Sequence, residues 1–228
     1  MNILPNIKII DLSLYLEKEK ILILSDFHLG YEEALNKQGI LIPRFQFEEI
    51  IKRLKKIFKK VKPSQIIING DIKHEFGTIS TQEWRHTLQL LDFLLEKAPV
   101  TIIKGNHDKI IKPITQKRNI EVIEEYRNNN ILITHGDKLK KPEKTTIIAH
   151  EHPSIAFKER PSEKYKCFLL GKYKNSSLIV QPSFNLVTEG SNIVKNKLLS
   201  PFLKDIQNFQ VFIVEDKVYK FKTVKDFD

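Results

Sequence analysis

The sequence predicts an α/β protein in which two sheets form layers of one domain covering residues 1–228. Three observations lead there. In the first half, short β-branched runs alternate with amphipathic helical stretches, the pattern of a parallel-sheet core. After His152 the helical pattern fades and strand-like runs follow one another, which implies a second, more antiparallel sheet. The composition, with 41% hydrophobic and 29% charged residues and only 8 Gly and 10 Pro, is that of a globular chain with a sizeable core, and no low-complexity tract separates the halves.

The elements follow in order. Ile21–Leu24 is the first strand candidate. Phe47, Ile50, Ile51, Leu54, Ile57, Phe58 and Val61 recur at three- and four-residue steps and form one apolar stripe on a lysine-covered helix ending near Pro63. Ile66–Ile68 is the next strand. Trp84, Leu88, Leu91 and Leu95 mark a second helix, with Ser80 or Thr81 as N-cap and Pro99 beyond its end. Strands at Thr101–Ile103, Ile131–Ile133 and Ile147–Ile148 complete the first half. The second sheet is expected from Cys167–Leu170, Leu178–Val180, Phe209–Val214 and Val218–Phe221, the last two closing a hairpin around Glu215, Asp216 and Lys217.

Several classes are excluded. The apolar runs stop after three or four residues, far short of the ~18 that span a bilayer. Residues 1–20 lack the basic start, apolar stretch and cleavage site of a leader, and the single Cys167 builds neither a disulfide nor a thiolate zinc site. A cytoplasmic protein with no membrane partner is the expectation. The net charge is +10, and lysine far outnumbers arginine. Such a surplus favours polyanions such as DNA or RNA, although lysine also serves as a general solvating residue. The few arginines argue against base-specific reading.

The chemistry lies at the strand ends. Ile21–Leu24 runs into Asp26 and His28, Ile66–Ile68 into Gly70 and Asp71, and Thr101–Ile103 into Gly105, Asn106, His107 and Asp108. Ile131–Ile133 runs into His135, and Ile147–Ile148 into His150 and His152. In open α/β sheets the carboxyl ends of strands line the ligand crevice, so these residues are expected to converge. Any one Asp or His after a strand is ordinary turn chemistry. Five strand ends delivering oxygen and nitrogen donors, with no thiolate, match the needs of a two-metal site and have little packing rationale.

This order and spacing resembles the calcineurin-like metallophosphoesterase superfamily, whose pattern is Asp-x-His, Gly-Asp, Gly-Asn-His-Asp/Glu, a separate His, then Gly-His-x-His. Here these are Asp26/His28, Gly70-Asp71, Gly105-Asn106-His107-Asp108, His135 and His150/His152, with Ala149 in place of the last glycine. The resemblance implies a four-layer αββα sandwich of two mixed sheets flanked by helices. It also implies two divalent metal ions, one on Asp26, His28, Asp71 and His152 and the other on Asp71, Asn106, His135 and His150, bridged by Asp71. Two cations ~3.5–4 Å apart share a hydroxide and neutralise phosphoryl oxygens during in-line attack. Mn is the default, and Fe, Zn, Ni or Co suit the same donors.

By the same resemblance His107 protonates the leaving oxygen or stabilises the transition state, and Asp108 orients its ring; a third metal ligand is the other role open to His107. His74 takes a substrate-side place, as in SbcD-like repair nucleases, or is a loop histidine. His86 is read as a surface residue and Cys167 as buried core. Ser25–Gly30, the Gly70–His74 block and Gln181–Asn185 with Gly190 resemble the small SbcD-related phosphoesterases of archaea and their bacterial DNA-ligase-associated relatives. Repair nucleases of that kind add a capping domain and a segment that docks an ATPase. Residues 153–228 leave little room for either, which weighs against an ATPase partner.

The implied function is a dinuclear-metal-dependent phosphoesterase, a phosphodiesterase acting on phosphate esters including nucleic acid. In that case the basic helix 52–62 and the segment Lys138–Lys144 flank the cleft. A phosphatase or diesterase for small nucleotides and a non-catalytic metal-binding scaffold are the alternatives.

Overall fold

The computed structural model describes residues 1–77 and 79–227. Three short strands, β1 (Asn2–Leu4), β2 (Ile7–Ile10) and β3 (Ser13–Leu16), pair antiparallel in sequence order and lead into β4 (Ile21–Leu24). The hydrophobic pattern gave no expectation for the first three, which are too short for a period. Their turns are nevertheless written in the chain, because Asn6 and Asp11 take left-handed φ of 64° and 58°, a region these side chains tolerate.

From β4 the sheet continues in parallel through β5 (Gln65–Asn69), β6 (Val100–Ile103) and β7 (Glu121–Ile123). The crossovers carry α1 (Tyr31–Lys37), α2 (Gln46–Phe58), α3 (Thr81–Leu95) and α4 (Lys112–Thr115). The two predicted helices form as expected. α2 buries Ile50, Leu54 and Ile57, and α3 buries Leu90, Leu91 and Leu94, in one core with the strands. Each such side chain contributes about 1.5–3 kcal/mol. All four residues of β4 are buried, as a strand covered on both faces requires.

The second sheet begins earlier than expected, at β8 (Tyr126–Asn128). It takes in β9 (Ile131–Ile133) and β10 (Thr145–Ile148), which the sequence placed with the first. β9 and β10 pair in parallel through the loop 134–144. That crossover contains no helix, so the alternation that announces a parallel pair is missing. β11 (Pro153–Phe157), β12 (Arg160–Tyr173), β13 (Ser176–Val180), β14 (Ser191–Asn192), β15 (Gln210–Val214) and β16 (Val218–Thr223) complete it. The order is β14-β11-β12-β13-β10-β9-β8, with β15 on β12 and the expected hairpin to β16.

Alternate residues of this sheet enter different cores. Phe168, Ile179 and Phe212 join the core shared with the first sheet. Cys167, Leu169, Leu178, Val180, Val211 and Ile213 pack on the other face. That face is covered by Ile193, Phe202, Leu203, Ile206 and Phe209 and by the 3-10 turn Val224–Phe227. The α/β class with two mixed sheets therefore stands, but the fourth layer is irregular chain: among the described residues no α-helix follows Thr115. No helix of the described residues is long and apolar enough to cross a membrane.

Candidate metal centre

Asp26 and His28 follow β4, Asp71 follows β5, and Asn106, His107 and Asp108 follow β6, all on the first sheet. His135 follows β9, and His150 and His152 follow β10, on the second. The centre thus lies where the carboxyl ends of two parallel sets meet. Five of these residues bend the chain sharply, with φ of 50° at Asp26, 45° at His28, 45° at Asp71, 65° at His150 and 49° at His152. Such backbone costs of order 1–3 kcal/mol per residue and persists only where its surroundings hold it. Here Asp26 N–H donates to Gly70 O at 3.1 Å and His28 N–H to Asp71 O at 2.9 Å, so the two loops fix each other. Two glycines allow the approach: a Cβ at Gly70 would meet His135 Nδ1 at 2.0 Å, and one at Gly105 would meet Asp71 Oδ1 at 2.1 Å.

The donor atoms fall into two groups sharing Asp71. Asp26, His28, Asp71 and His152 form one, and Asp71, His135 and His150 the other, the atoms of each within 4.8 Å of one another. His28 Nε2 and His152 Nε2 face each other at 3.3 Å. His135 Nε2 lies 2.9 Å from Asn106 Oδ1 and 3.3 Å from Asp71 Oδ2, which brings Asn106 into the second group. Asp26 Oδ1 is buried and accepts no hydrogen bond among the described residues. An orphaned carboxylate oxygen among converging imidazoles fits a cation.

The imidazoles differ in their electrostatics. Burial and the neighbouring His152 push His28 well below the usual histidine range, and burial with His135 alongside lowers His150. Both are therefore neutral, the form that binds metal. Burial opposes charge on Asp71 and His135 too, but their mutual hydrogen bond and attraction win: Asp71 lies well below the usual carboxylate range and His135 is raised to about 9. His74 falls to about 4, through burial and the adjacent His107.

His107, His74 and Asp108 lie alongside. His107 Nε2 is 4.0 Å from Asp71 Oδ2, and its Nδ1 is hydrogen-bonded to the His74 carbonyl. His28, His74 and His107 also bring ring nitrogens within 4.8 Å of one another. Asp108 departs from the expected role. It does not orient the His107 ring; its Oδ1 accepts from Ile72 N–H and its Oδ2 from Gly105 N–H, both at 3.1 Å. Adjacency in sequence does not decide which groups a turn side chain reaches, and here Asp108 reaches backbone N–H groups. Buried and near Asp71, Asp108 is raised to about 7. His86 is half-buried, stacked on Phe47 at 4.5 Å rather than free on the surface.

The late block Gln181–Asn185 supports the Asp26 loop, with Phe184 N–H on Ser25 O at 2.8 Å and Asn185 N–H on Asp26 O at 3.0 Å. Gln46 and Glu83 went unnoticed in the sequence. Gln46 Nε2 donates to Phe27 O at 2.9 Å and Asn185 Oδ1 at 3.0 Å. Glu83 carried a signal, Ser80-x-x-Glu83, the capping-box pattern.

The basic helix approaches the centre at its first turn. α2 touches the Asp26 loop through Gln46 and runs away from it, until Lys60 lines a groove with Met1, Lys8 and Val218. Arg53 pairs with Asp11 at 2.6 Å. In the 138–144 segment Lys140 pairs with Glu125 at 3.4 Å.

Comparison with known proteins decides the family: the calcineurin-like phosphoesterase model matches residues 19–207. The chain belongs to that family. This phosphoesterase is accordingly a metal-dependent hydrolase, with its Asp/His clusters as the candidate metal-binding groups. Its fold is that of the nuclease MPE of Pseudomonas putida, with a TM-score of 0.68 at 17% identity over 92% of this chain and 91% of that one. YfcE, a phosphoesterase from E. coli, aligns with a TM-score of 0.43 at 11% identity over 86% of this chain and 88% of that one.

Proposed function

We propose that this phosphoesterase is a phosphodiesterase working as one unit over residues 1–228. Asp26, His28, Asp71 and His152 would hold one divalent cation, and Asp71, Asn106, His135 and His150 a second. The observation that carries the reading is the convergence on one oxygen, Asp71 Oδ2, which lies 3.3 Å from His135 Nε2 and 3.8 Å from His28 Nε2. Two cations held there would lower the pKa of an attacking water and neutralise the phosphoryl oxygens. The oxygen and nitrogen donors suit Mn, Fe, Zn, Ni or Co, and Mn is the ion proposed.

His107 supplies the acid. Its Nδ1 is engaged by the His74 carbonyl, so Nε2 is the nitrogen that faces the reacting ester. A proton on Nε2 passes to the leaving oxygen as its bond to phosphorus breaks. His74 is neutral at pH 7 and meets the ester as a hydrogen-bond partner rather than as a cation. Asp108 serves the site by holding the loops after β5 and β6 together. Nucleic acid is one diester this centre suits, and a nuclease shares the fold.

The test is hydrolysis of bis(p-nitrophenyl) phosphate by the metal-stripped chain with Mn²⁺ added back, beside p-nitrophenyl phosphate. Turnover that requires the metal and favours the diester is expected. No turnover of either ester with Mn²⁺, Fe²⁺, Zn²⁺, Ni²⁺ or Co²⁺ contradicts the proposal and leaves a binding scaffold.

A further inference from the structure

Glu83 is a fully buried carboxylate that the chemistry above does not use. It stands in the first turn of α3, where its Oε2 accepts from the Ser80 N–H at 2.7 Å and closes the capping box. One oxygen suffices for a cap. The other reaches out of the helix: Oε1 accepts from the N–H of Glu75 at 2.8 Å and of His74 at 3.1 Å. Its stem lies so close over Gly30 that a Cβ there would stand 2.2 Å from Glu83 Cγ. The loop after β4, the His74 turn and α3 thus close on one side chain.

The Glu75 N–H and the His74 carbonyl belong to the same peptide unit. That unit is planar, with N–H and C=O pointing in opposite directions. Holding the N–H on Glu83 therefore aims the carbonyl away from α3, and that carbonyl is the partner of His107 Nδ1. The chain of contacts runs from Glu83 through one rigid peptide to the imidazole. The partner of one ring nitrogen decides which tautomer the other presents.

We infer that Glu83 is a positioning residue for His107. By fixing the His74–Glu75 peptide it holds the His107 ring with Nδ1 as donor and Nε2 turned to the ester. The inference rests on the reading of His107 as the acid. In that step the attacking water gives one proton to solvent as its oxygen bonds to phosphorus, and the bond to the leaving oxygen breaks with its electron pair on that oxygen. His107, protonated on both ring nitrogens for this step, gives its Nε2 proton to the leaving oxygen and ends as the neutral ring with Nδ1–H on the His74 carbonyl.

The test uses the full chain and two readouts. Long-range ¹H–¹⁵N NMR of the metal-free protein reports the His107 tautomer. Turnover with Mn²⁺ is compared between bis(p-nitrophenyl) phosphate, whose leaving group departs readily without a proton, and diphenyl phosphate, whose leaving group needs one. Glu83→Ala is expected to lose the single Nδ1–H tautomer and to slow diphenyl phosphate about 10-fold or more, a part of the ~10²–10⁴-fold that a general acid supplies. The p-nitrophenyl ester should slow less than about threefold on the same argument. Glu83→Gln, which keeps an acceptor oxygen, restores both readouts. If Glu83→Ala does not fold, Glu83→Asp, one methylene short of the 74–75 peptide, takes its place.

Equal loss on both esters, or an unchanged tautomer, overturns the inference and leaves Glu83 a helix cap. His107→Ala serves as the control. Equal loss on both esters in that variant overturns the acid reading itself, and the tautomer measurement still decides whether Glu83 sets the ring.

Discussion

Asp71 is the residue on which the site turns, for reasons of backbone as well as charge. Its φ of 45° lies in the left-handed region, where Asp and Asn are tolerated and bulkier side chains are strained. Its Oδ1 accepts the His107 N–H at 2.9 Å, while Oδ2 faces the ring nitrogens of His135, His28 and His107. Asp71→Asn keeps the shape and the αL backbone and removes the charge. The chain with this substitution should fold with an unchanged far-UV spectrum. It should bind Mn²⁺ at least about 100-fold more weakly in calorimetry, beyond the usual cost of losing an outer-shell partner. Unchanged affinity would mean that Asp71 is no ligand. The candidate donors were legible in the sequence because each comes within a few residues of the end of an apolar strand. Glu83 and Gln46 were not, because they act on backbone groups from helices, and the Ser80-x-x-Glu83 pattern reads first as a cap. Asp108 was seen but its partners were not, since sequence order carries no direction for a side chain.

At the scale of elements, α2 and α3 were legible because 13 and 15 residues give several repeats of the 3.6 period. α1, with seven residues, and α4, with four, are too short to show one. β9 and β10 were found as strands yet placed in the wrong sheet, because membership depends on a crossover without a helix. α2 also bears on substrate. Its exposed lysines suggested a polyanion face, but the helix touches the Asp26 loop through Gln46, its first residue, and Lys55, Lys56 and Lys59 lie toward its far end. Lys55→Gln, Lys56→Gln and Lys59→Gln together should therefore leave diester kcat/KM within about twofold, the effect of an ordinary surface change. A loss above about tenfold at low salt would place the substrate along α2 after all.

At the scale of the molecule, the proposed centre spans the seam between two sheets. Asp26, Asp71 and Asn106 come from one and His135, His150 and His152 from the other, above a core that both sheets share. Cations bound there would tie the carboxyl ends of the sandwich together. The two-sheet α/β class was legible from alternation and composition. The covering of the second sheet was not, because Ile193, Phe202, Leu203, Ile206 and Phe209 follow neither a helical nor a strand period. Asp71 is proposed to join the two cation sites across this seam. Anomalous diffraction from crystals of the full chain grown with Mn²⁺ tests it most directly. Two peaks about 3.5–4 Å apart, with Asp71 between them, are expected. The first should lie within bonding reach of Asp26, His28 and His152, and the second within reach of Asn106, His135 and His150. A single peak, or peaks away from Asp71, would contradict it.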